Sequence, residues 1–205
     1  MTRPSPIIHG GDLTARRKEG LAVERETSHH GCMIKAIFAF LLFASAVRAA
    51  DPLEAMAGGP ETAARVFLSE LRRHQVTGLP GEGAWEALAP LFSESLAALM
   101  EAARKEQLEH QRKFPDEKPP WIEGDLFSSL FEGPHRFHVG AAMVEGERAT
   151  IPILYERTEA GETVRWKDSL ILVKTSQGWS VDDVRYGGTW DFANQGTLKE
   201  ALAAE

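Results

Sequence analysis

The pattern that most constrains the fold is a series of short apolar runs in the last third of the chain. Apolar side chains alternate with others over residues 137–144 and 149–155, and two further apolar runs cover 164–174 and 179–186. Glycine-containing turns separate these runs, so each is predicted to be a strand paired antiparallel with the next. The pattern predicts a four-stranded meander, in which Pro152 places its strand at an edge or a bulge.

Helical periodicity precedes this region. One apolar face follows the spacing i, i+3, i+4 and i+7 and consists of Ala64, Phe67, Leu68 and Leu71. It predicts a helix that begins at Pro60, and further helical segments are predicted around Trp85 and over Ser93–Lys113. Thr197–Glu200 has the spacing of a capping box and predicts a short C-terminal helix. Helices followed by a meander indicate the α+β class, with the helices packed on the sheet.

The segment between the helices and the strands has the composition of a loop. Residues 115–135 contain four prolines and two glycines, which disfavour regular structure. The sequence WIEGDLFSSLF at 121–131 is nevertheless rich in aromatic and aliphatic residues. We therefore expect this part of the loop to pack against the core as a plug.

An export signal is predicted before the helical region. Lys35 supplies a positive charge, residues 36–47 form an apolar run of 12 residues, and Val47-Arg48-Ala49 resembles a signal-peptidase recognition site. The run is shorter than the roughly 20 residues of a membrane-spanning helix. We expect residues 33–49 to be a signal peptide cleaved after Ala49, which leaves no membrane span, and residues 50–205 to be a single periplasmic or secreted domain.

The first 32 residues do not fit this layout, because a signal peptide normally starts at its own initiating methionine. Residues 1–32 show no sustained periodicity. We interpret them as an extension that is not translated, with Met33 as the true start, or else as a disordered cytoplasmic segment. The single cysteine, Cys32, belongs to this extension, so the mature chain is predicted to have neither a disulfide nor a lipid-bearing cysteine.

The net charge of the chain limits the classes of partner that it is expected to bind. From Asp51 onward the chain carries 16 Lys and Arg against 26 Asp and Glu, a net charge of −10. Because binding of a phosphate backbone depends on basic side chains, we expect no nucleic-acid partner. No phosphate-binding glycine loop, nucleophile elbow or metal-ligand motif stands out, so we expect no cofactor and no metal.

Two short motifs resemble a known family. Gly124-Asp125-x-Phe127 in the loop and Gly178-Trp179-Ser180-Val181-Asp182-Asp183-Val184 near the end are similar to motifs of the nuclear transport factor 2-like (cystatin-like) superfamily. Within it, they look closest to the bacterial exported domain-of-unknown-function family 3828, although Leu126 replaces the usual proline. The resemblance covers roughly residues 60–186. It implies a curved sheet wrapped by helices into a cone-like roll with an inner pocket, and it implies no activity.

The acidic pair Asp182-Asp183 raises the question of catalysis. On a regular strand the two carboxylates point to opposite faces and cannot form one site. We expect one of them to be solvated and the other to cap a turn or pair with Arg165 or Arg185. The alternative is that one of them faces an inner pocket as a general base, with Asp183 the catalytic candidate of the two.

Other candidate site residues are weaker. Asp168 lies within a strand, where a salt bridge to a neighbouring strand is the favoured interpretation and catalysis the alternative. His138 is the third catalytic candidate, and it cannot pair with His135 at a metal because residues three apart on a strand diverge. Candidate ligand-binding residues are Trp166, Tyr155 and Asp125, although Asp125 more readily caps the turn that follows it.

Three functions stay open from the sequence alone. The first is an exported binding or accessory domain for an unknown small molecule, peptide or envelope protein. The second is a small cone-fold enzyme that uses general acid/base chemistry on an apolar small molecule. The third is an assembly or inhibitor module that forms a homodimer through the sheet face. Whether the chain is an enzyme is left undecided.

Overall fold

A computed structural model describes residues 56–203. The predicted untranslated extension, the signal peptide and Cys32 all lie outside these residues. Over 56–203, none of the helices combines the length and the apolar character needed to cross a membrane.

Residues 56–203 contain four α-helices, which include the helical segments that the periodicity predicted. Their bounds are α1 Pro60–Arg73, α2 Glu82–Leu88, α3 Glu94–Lys113 and α4 Leu198–Ala203, and a single 3₁₀ turn, Ala89–Leu91, follows α2. The predicted apolar face of α1 is confirmed, because Ala64, Phe67 and Leu68 are buried and Leu71 is partly buried. The capping box is also confirmed: the N–H of Thr197 donates to Glu200 Oε2 at 2.8 Å, and the N–H of Glu200 donates to Thr197 Oγ1 at 3.3 Å.

The sheet is an open, curved antiparallel sheet of five strands rather than four. The strands are β1 Arg136–Val139, β2 Met143–Glu145, β3 Arg148–Glu159, β4 Glu162–Thr175 and β5 Gly178–Arg185. The order is β1-β3-β4-β5, and β2 pairs with the same strand, β3, as β1 does. The α+β prediction is therefore confirmed, and the first predicted strand is split in two.

Pro152 explains the split. It lies in β3, which has neighbours on both sides, so of the predicted edge or bulge the edge was wrong. The bulge was right, because three residues, 140–142, face only two, 151–152, between the paired ends of β1 and β2. The residue that faces Pro152 is Gly140, whose N–H donates to the Pro152 carbonyl at 2.9 Å. Proline has no N–H with which to complete that pair of hydrogen bonds, so the ladder is interrupted between β1 and β2. A Cβ atom on Gly140 would lie 2.8 Å from the Pro152 ring, which leaves no room for a larger residue.

A bulge interrupts β5 at the acidic pair. Val181 pairs with Leu172 and Asp183 with Ile171, so Asp182 is an extra residue without a partner on β4. A bulge of this kind shifts the alternation of side chains by one position. As a result Val181 and Val184 both belong to the core, and the regular alternation assumed for this strand does not hold.

The 121–131 segment packs as the predicted plug. Phe127 is 2% exposed, and its ring lies 5.6 Å from that of Phe67 and 6.4 Å from that of Phe92. Ser128 and Ser129 are buried with it. The plug thus joins α1 and the segment before α3 in one aromatic cluster.

Candidate functional site

A pocket of about 580 Å³ lies between α1, β3 and the 121–135 loop, and we call it the α1–β3 pocket. Its apolar lining is contributed by Leu68, Leu71, Val76, Phe127, Phe131 and Phe137. Gly124 allows the loop to close over it, because a Cβ atom there would lie 2.5 Å from the Phe131 ring and its φ is +80°. A concave, mostly apolar cavity with a few polar groups is the usual form of a small-molecule site.

Both long walls of the pocket change from apolar to cationic toward the rim. On α1, Leu68 is buried and Arg72, one helical turn later, is exposed. On β3, Tyr155 is buried, and Arg157, two residues later on the same face, is partly exposed. Helix and strand therefore each bring one guanidinium to the opening.

Asp125 lines the pocket from the loop and forms the turn predicted for it. Its Oδ1 accepts the N–H of Phe127 at 2.6 Å and its Oδ2 accepts the Ser128 hydroxyl at 3.1 Å. The residue is partly accessible, but the loop encloses its carboxyl group. This burial raises the pKa of Asp125 to about 6, against the opposing effect of the two hydrogen bonds.

Tyr155 lies on the inner wall of the pocket and is 2% exposed. Within residues 56–203 its hydroxyl has no hydrogen-bond partner. Burial, with the nearby charges of Asp125 and Asp168, raises the pKa of Tyr155 well above its ordinary value, so the phenol stays protonated. A phenol in the wall of the pocket can donate a hydrogen bond to an acceptor atom of a ligand.

Trp166, another predicted ligand-binding residue, lies behind this wall. Its ring is 5.4 Å from that of Tyr155 and 6.1 Å from that of Trp190. Its indole N–H donates to Asp168 at 3.1 Å. Trp166 does not line the pocket, and it packs against Tyr155 from behind the pocket wall.

Asp168 is buried without a salt bridge in the described part of the chain, which overturns the interpretation that it pairs with a cation on a neighbouring strand. It is 2% exposed and accepts hydrogen bonds from the Ser129 N–H at 2.8 Å, from the Ser129 hydroxyl and from the Gly187 N–H at 2.8 Å. The Trp166 indole completes the set. The carboxylate therefore fastens the plug and the end of β5 to β4.

Asp182 and Asp183 lie away from the pocket and both contact Lys199. Asp182 Oδ1 is 2.7 Å from Lys199 Nζ, and Asp183 Oδ1 accepts the Lys199 N–H at 3.1 Å. Asp182 also accepts the hydroxyl of Ser93, the N-cap of α3, at 2.7 Å and lies 3.5 Å from Arg148. The predicted pairing with Arg165 or Arg185 was wrong, because Arg165 pairs with Glu156 at 2.6 Å and the bulge directs the acids to α4.

The charge state of Asp182 follows from these contacts. Burial alone would raise its pKa, but hydrogen bonds from Lys199, Ser93 and Ser95, with the positive charge of Lys199, lower it below the ordinary value. The carboxylate is ionised and paired. This arrangement holds helix ends in place and offers no free base.

The third catalytic candidate, His138, is exposed on β1, and its pairing partner Leu154 is also exposed. Its neighbour Phe137 points into the pocket, so His138 points away from it. Over residues 56–203 there is no group of three His, Cys, Asp or Glu side chains that could hold a metal ion.

Sequence reasoning did not find the two rim arginines or the role of Ser129. Arg72 follows the predicted apolar face of α1 by one turn, and Arg157 follows Tyr155 by two positions, so periodicity could have located both. Ser129 offered no such signal, because its partner Asp168 lies 39 positions away.

A comparison with curated proteins finds a distant relative. No protein-family model matches the chain. An uncharacterised lipoprotein of Escherichia coli K12, YbjP, is 27% identical over 147 residues, which cover 71% of this chain and 76% of that protein. The resemblance to the nuclear transport factor 2-like superfamily and to family 3828 therefore stays a prediction.

Among solved structures, the chain is similar to the solution structure of RPA3114, a SEC-C motif containing protein from Rhodopseudomonas palustris. The match covers 66% of this chain and 86% of that chain, at 14% identity and a TM-score of 0.39. A similarity of that size carries no argument about function.

Proposed function

We propose that this chain is an exported binding domain of the bacterial cell envelope and that the α1–β3 pocket holds a small-molecule ligand. The observation that carries the proposal is the α1–β3 pocket itself, a mostly apolar cavity of about 580 Å³ with the Tyr155 hydroxyl in its wall. That volume is within the range of ligand pockets.

Binding of N-phenyl-naphthylamine, an uncharged apolar probe that fluoresces when shielded from water, tests the pocket. Leu71→Trp places a larger side chain in the cavity, whereas Leu108→Trp adds the same side chain on the exposed part of α3. We expect wild type and Leu108→Trp to bind the probe alike. Leu71→Trp should weaken binding about tenfold, or about 1.4 kcal/mol.

Circular dichroism should show that both variants fold. If the wild type does not bind the probe, or if Leu71→Trp binds it as tightly as Leu108→Trp, the α1–β3 pocket is not a ligand site.

The envelope location has two supports. Residues 33–49 have the layout of a signal peptide, and the distant relative is named a lipoprotein. Here the only cysteine, Cys32, precedes the apolar run, and the run is followed by Arg48-Ala49-Ala50-Asp51. A lipid-bearing cysteine after the run is therefore absent, and we propose cleavage after Ala49 with release into the periplasm.

Mass spectrometry of the N-terminus after cell fractionation checks this. We expect a periplasmic product that begins at Ala50 and a longer product when Ala49→Glu blocks the small-residue site. A cytosolic protein that retains Met1 or Met33 would contradict export.

A proton-transfer enzyme is the second candidate, and Asp125 is the observation in its favour. Its pKa of about 6 would let it exchange a proton near neutral pH beside an apolar cavity. Both of its oxygens are, however, engaged by Phe127 and Ser128 in its own loop. We therefore rank binding first.

The homodimer through the sheet face also stays a prediction. The outward positions of neighbouring strands include His138, Lys167 and Glu156 together with the exposed Leu154. Because this face mixes polar and apolar side chains, it resembles a solvated surface more than an apolar dimer interface.

A further inference from the structure

We infer that the ligand of the α1–β3 pocket is an amphipathic anion, whose apolar body lies along Leu68, Leu71 and Phe127 and whose negatively charged group binds Arg72 at the rim. This inference rests on the proposed ligand-binding function of the pocket. It depends on the position of Arg72 at the rim, on the contact that holds its guanidinium there, and on the absence of a carboxylate near it among residues 56–203.

Arg72 is the cation available to a ligand. Its guanidinium carbon lies 5.4 Å from the centroid of the Phe137 ring, a cation–π contact that holds it beside the opening. Within residues 56–203 no carboxylate lies within ion-pair distance of it. A guanidinium held in place without a counter-ion is well suited to bind a carboxylate, sulfate or phosphate.

Arg157 stands on the opposite wall but is already engaged. Its Nη1 donates to the carbonyls of Glu132 and Gly133 at 2.9 and 3.2 Å, and its Nε is 3.1 Å from Glu159. It therefore supports the loop and adds positive charge to the rim. We assign the direct contact with the ligand's negatively charged group to Arg72.

Two acidic residues also line the pocket and work against an anion. Asp125 is enclosed by the loop, and each of its oxygens already accepts a hydrogen bond, from Phe127 or from Ser128, which reduces its availability to a cationic ligand. Glu132 is exposed and can turn into solvent. The cations are held at fixed positions and the acids are either engaged or exposed, so the arrangement favours an anionic group.

Displacement of bound N-phenyl-naphthylamine by three ten-carbon amphiphiles tests the charge preference at constant chain length. The three are decyl sulfate, decanol and decylamine, measured near neutral pH below their micellar concentrations. We expect decyl sulfate to displace the probe at concentrations about three- to fivefold lower than decanol, the size of effect typical of a solvent-exposed ion pair. Decylamine should be the weakest.

Arg72→Gln should remove the advantage of decyl sulfate and leave decanol and the probe unchanged. The matched control is Arg73→Gln, which removes the same charge from the next residue of α1 and lies outside the pocket lining. Equal displacement by decyl sulfate and decanol, tighter binding of decylamine, or equal effects of the two variants would overturn the inference. Because the probe is uncharged, its failure to bind would instead refute the ligand-binding function itself.

Discussion

Asp168 is a buried hydrogen-bond acceptor that connects separate parts of the fold. Its two oxygens accept four hydrogen bonds, from the Ser129 N–H and hydroxyl, the Gly187 N–H and the Trp166 indole. The Ser129 hydroxyl in turn accepts the N–H of Gly188 at 2.9 Å. Ser129 and Trp166 are buried, so three of the four donors that the carboxylate satisfies belong to residues with little access to water.

Asp168→Asn should destabilise the protein by about 3 kcal/mol, because an amide nitrogen would face hydrogen-bond donors in either orientation. Urea denaturation measures the loss. Asp191→Asn, the same change at an exposed site, should alter the free energy of unfolding by less than about 0.5 kcal/mol. Equal stabilities of the two variants would show that Asp168 is not a structural anchor.

At the scale of elements, the helices were predictable because their signals are local. The apolar face of α1 and the capping box of α4 each depend on residues within two turns of one another. Most of the meander was predictable for the same reason, since β2 to β5 pair in chain order, whereas β1 skips β2 and pairs with β3.

The departures from prediction all involve contacts between elements. The gap between β1 and β2 depends on Pro152 in the neighbouring strand, and the bulge in β5 turns Asp182 and Asp183 toward α4. The pocket likewise depends on contacts between elements. Tyr155 and Asp125 could be named as candidates, but only the fold places them beside Arg72, because α1, the loop and β3 are far apart in sequence.

At the scale of the whole molecule, two carboxylates make the free energy of unfolding depend on pH in opposite directions. Asp182 has a lowered pKa, so the stability it contributes is present above its unfolded-state pKa and is lost as pH falls through its folded-state value. Asp125 has a pKa raised from 3.8 to about 6, so its contribution is full below pH 3.8 and is lost as pH rises through about 6. The excess of acidic residues adds repulsion at higher pH.

The free energy of unfolding should therefore be greatest in mildly acidic solution, between about pH 4 and pH 6, and Asp125→Asn should remove much of the decline above that range. An asparagine keeps the oxygen that accepts the Phe127 N–H and carries no charge to bury. Because Asp125 is partly accessible, we expect a gain of only about 1–2 kcal/mol above pH 7 and little difference below pH 4. Thermal and urea denaturation across this range measure both the pH of greatest stability and the difference between the variant and wild type.

Asp116→Asn, at an exposed position, should follow the wild-type curve. A constant difference between Asp125→Asn and wild type at every pH would show that Asp125 does not titrate with a raised pKa.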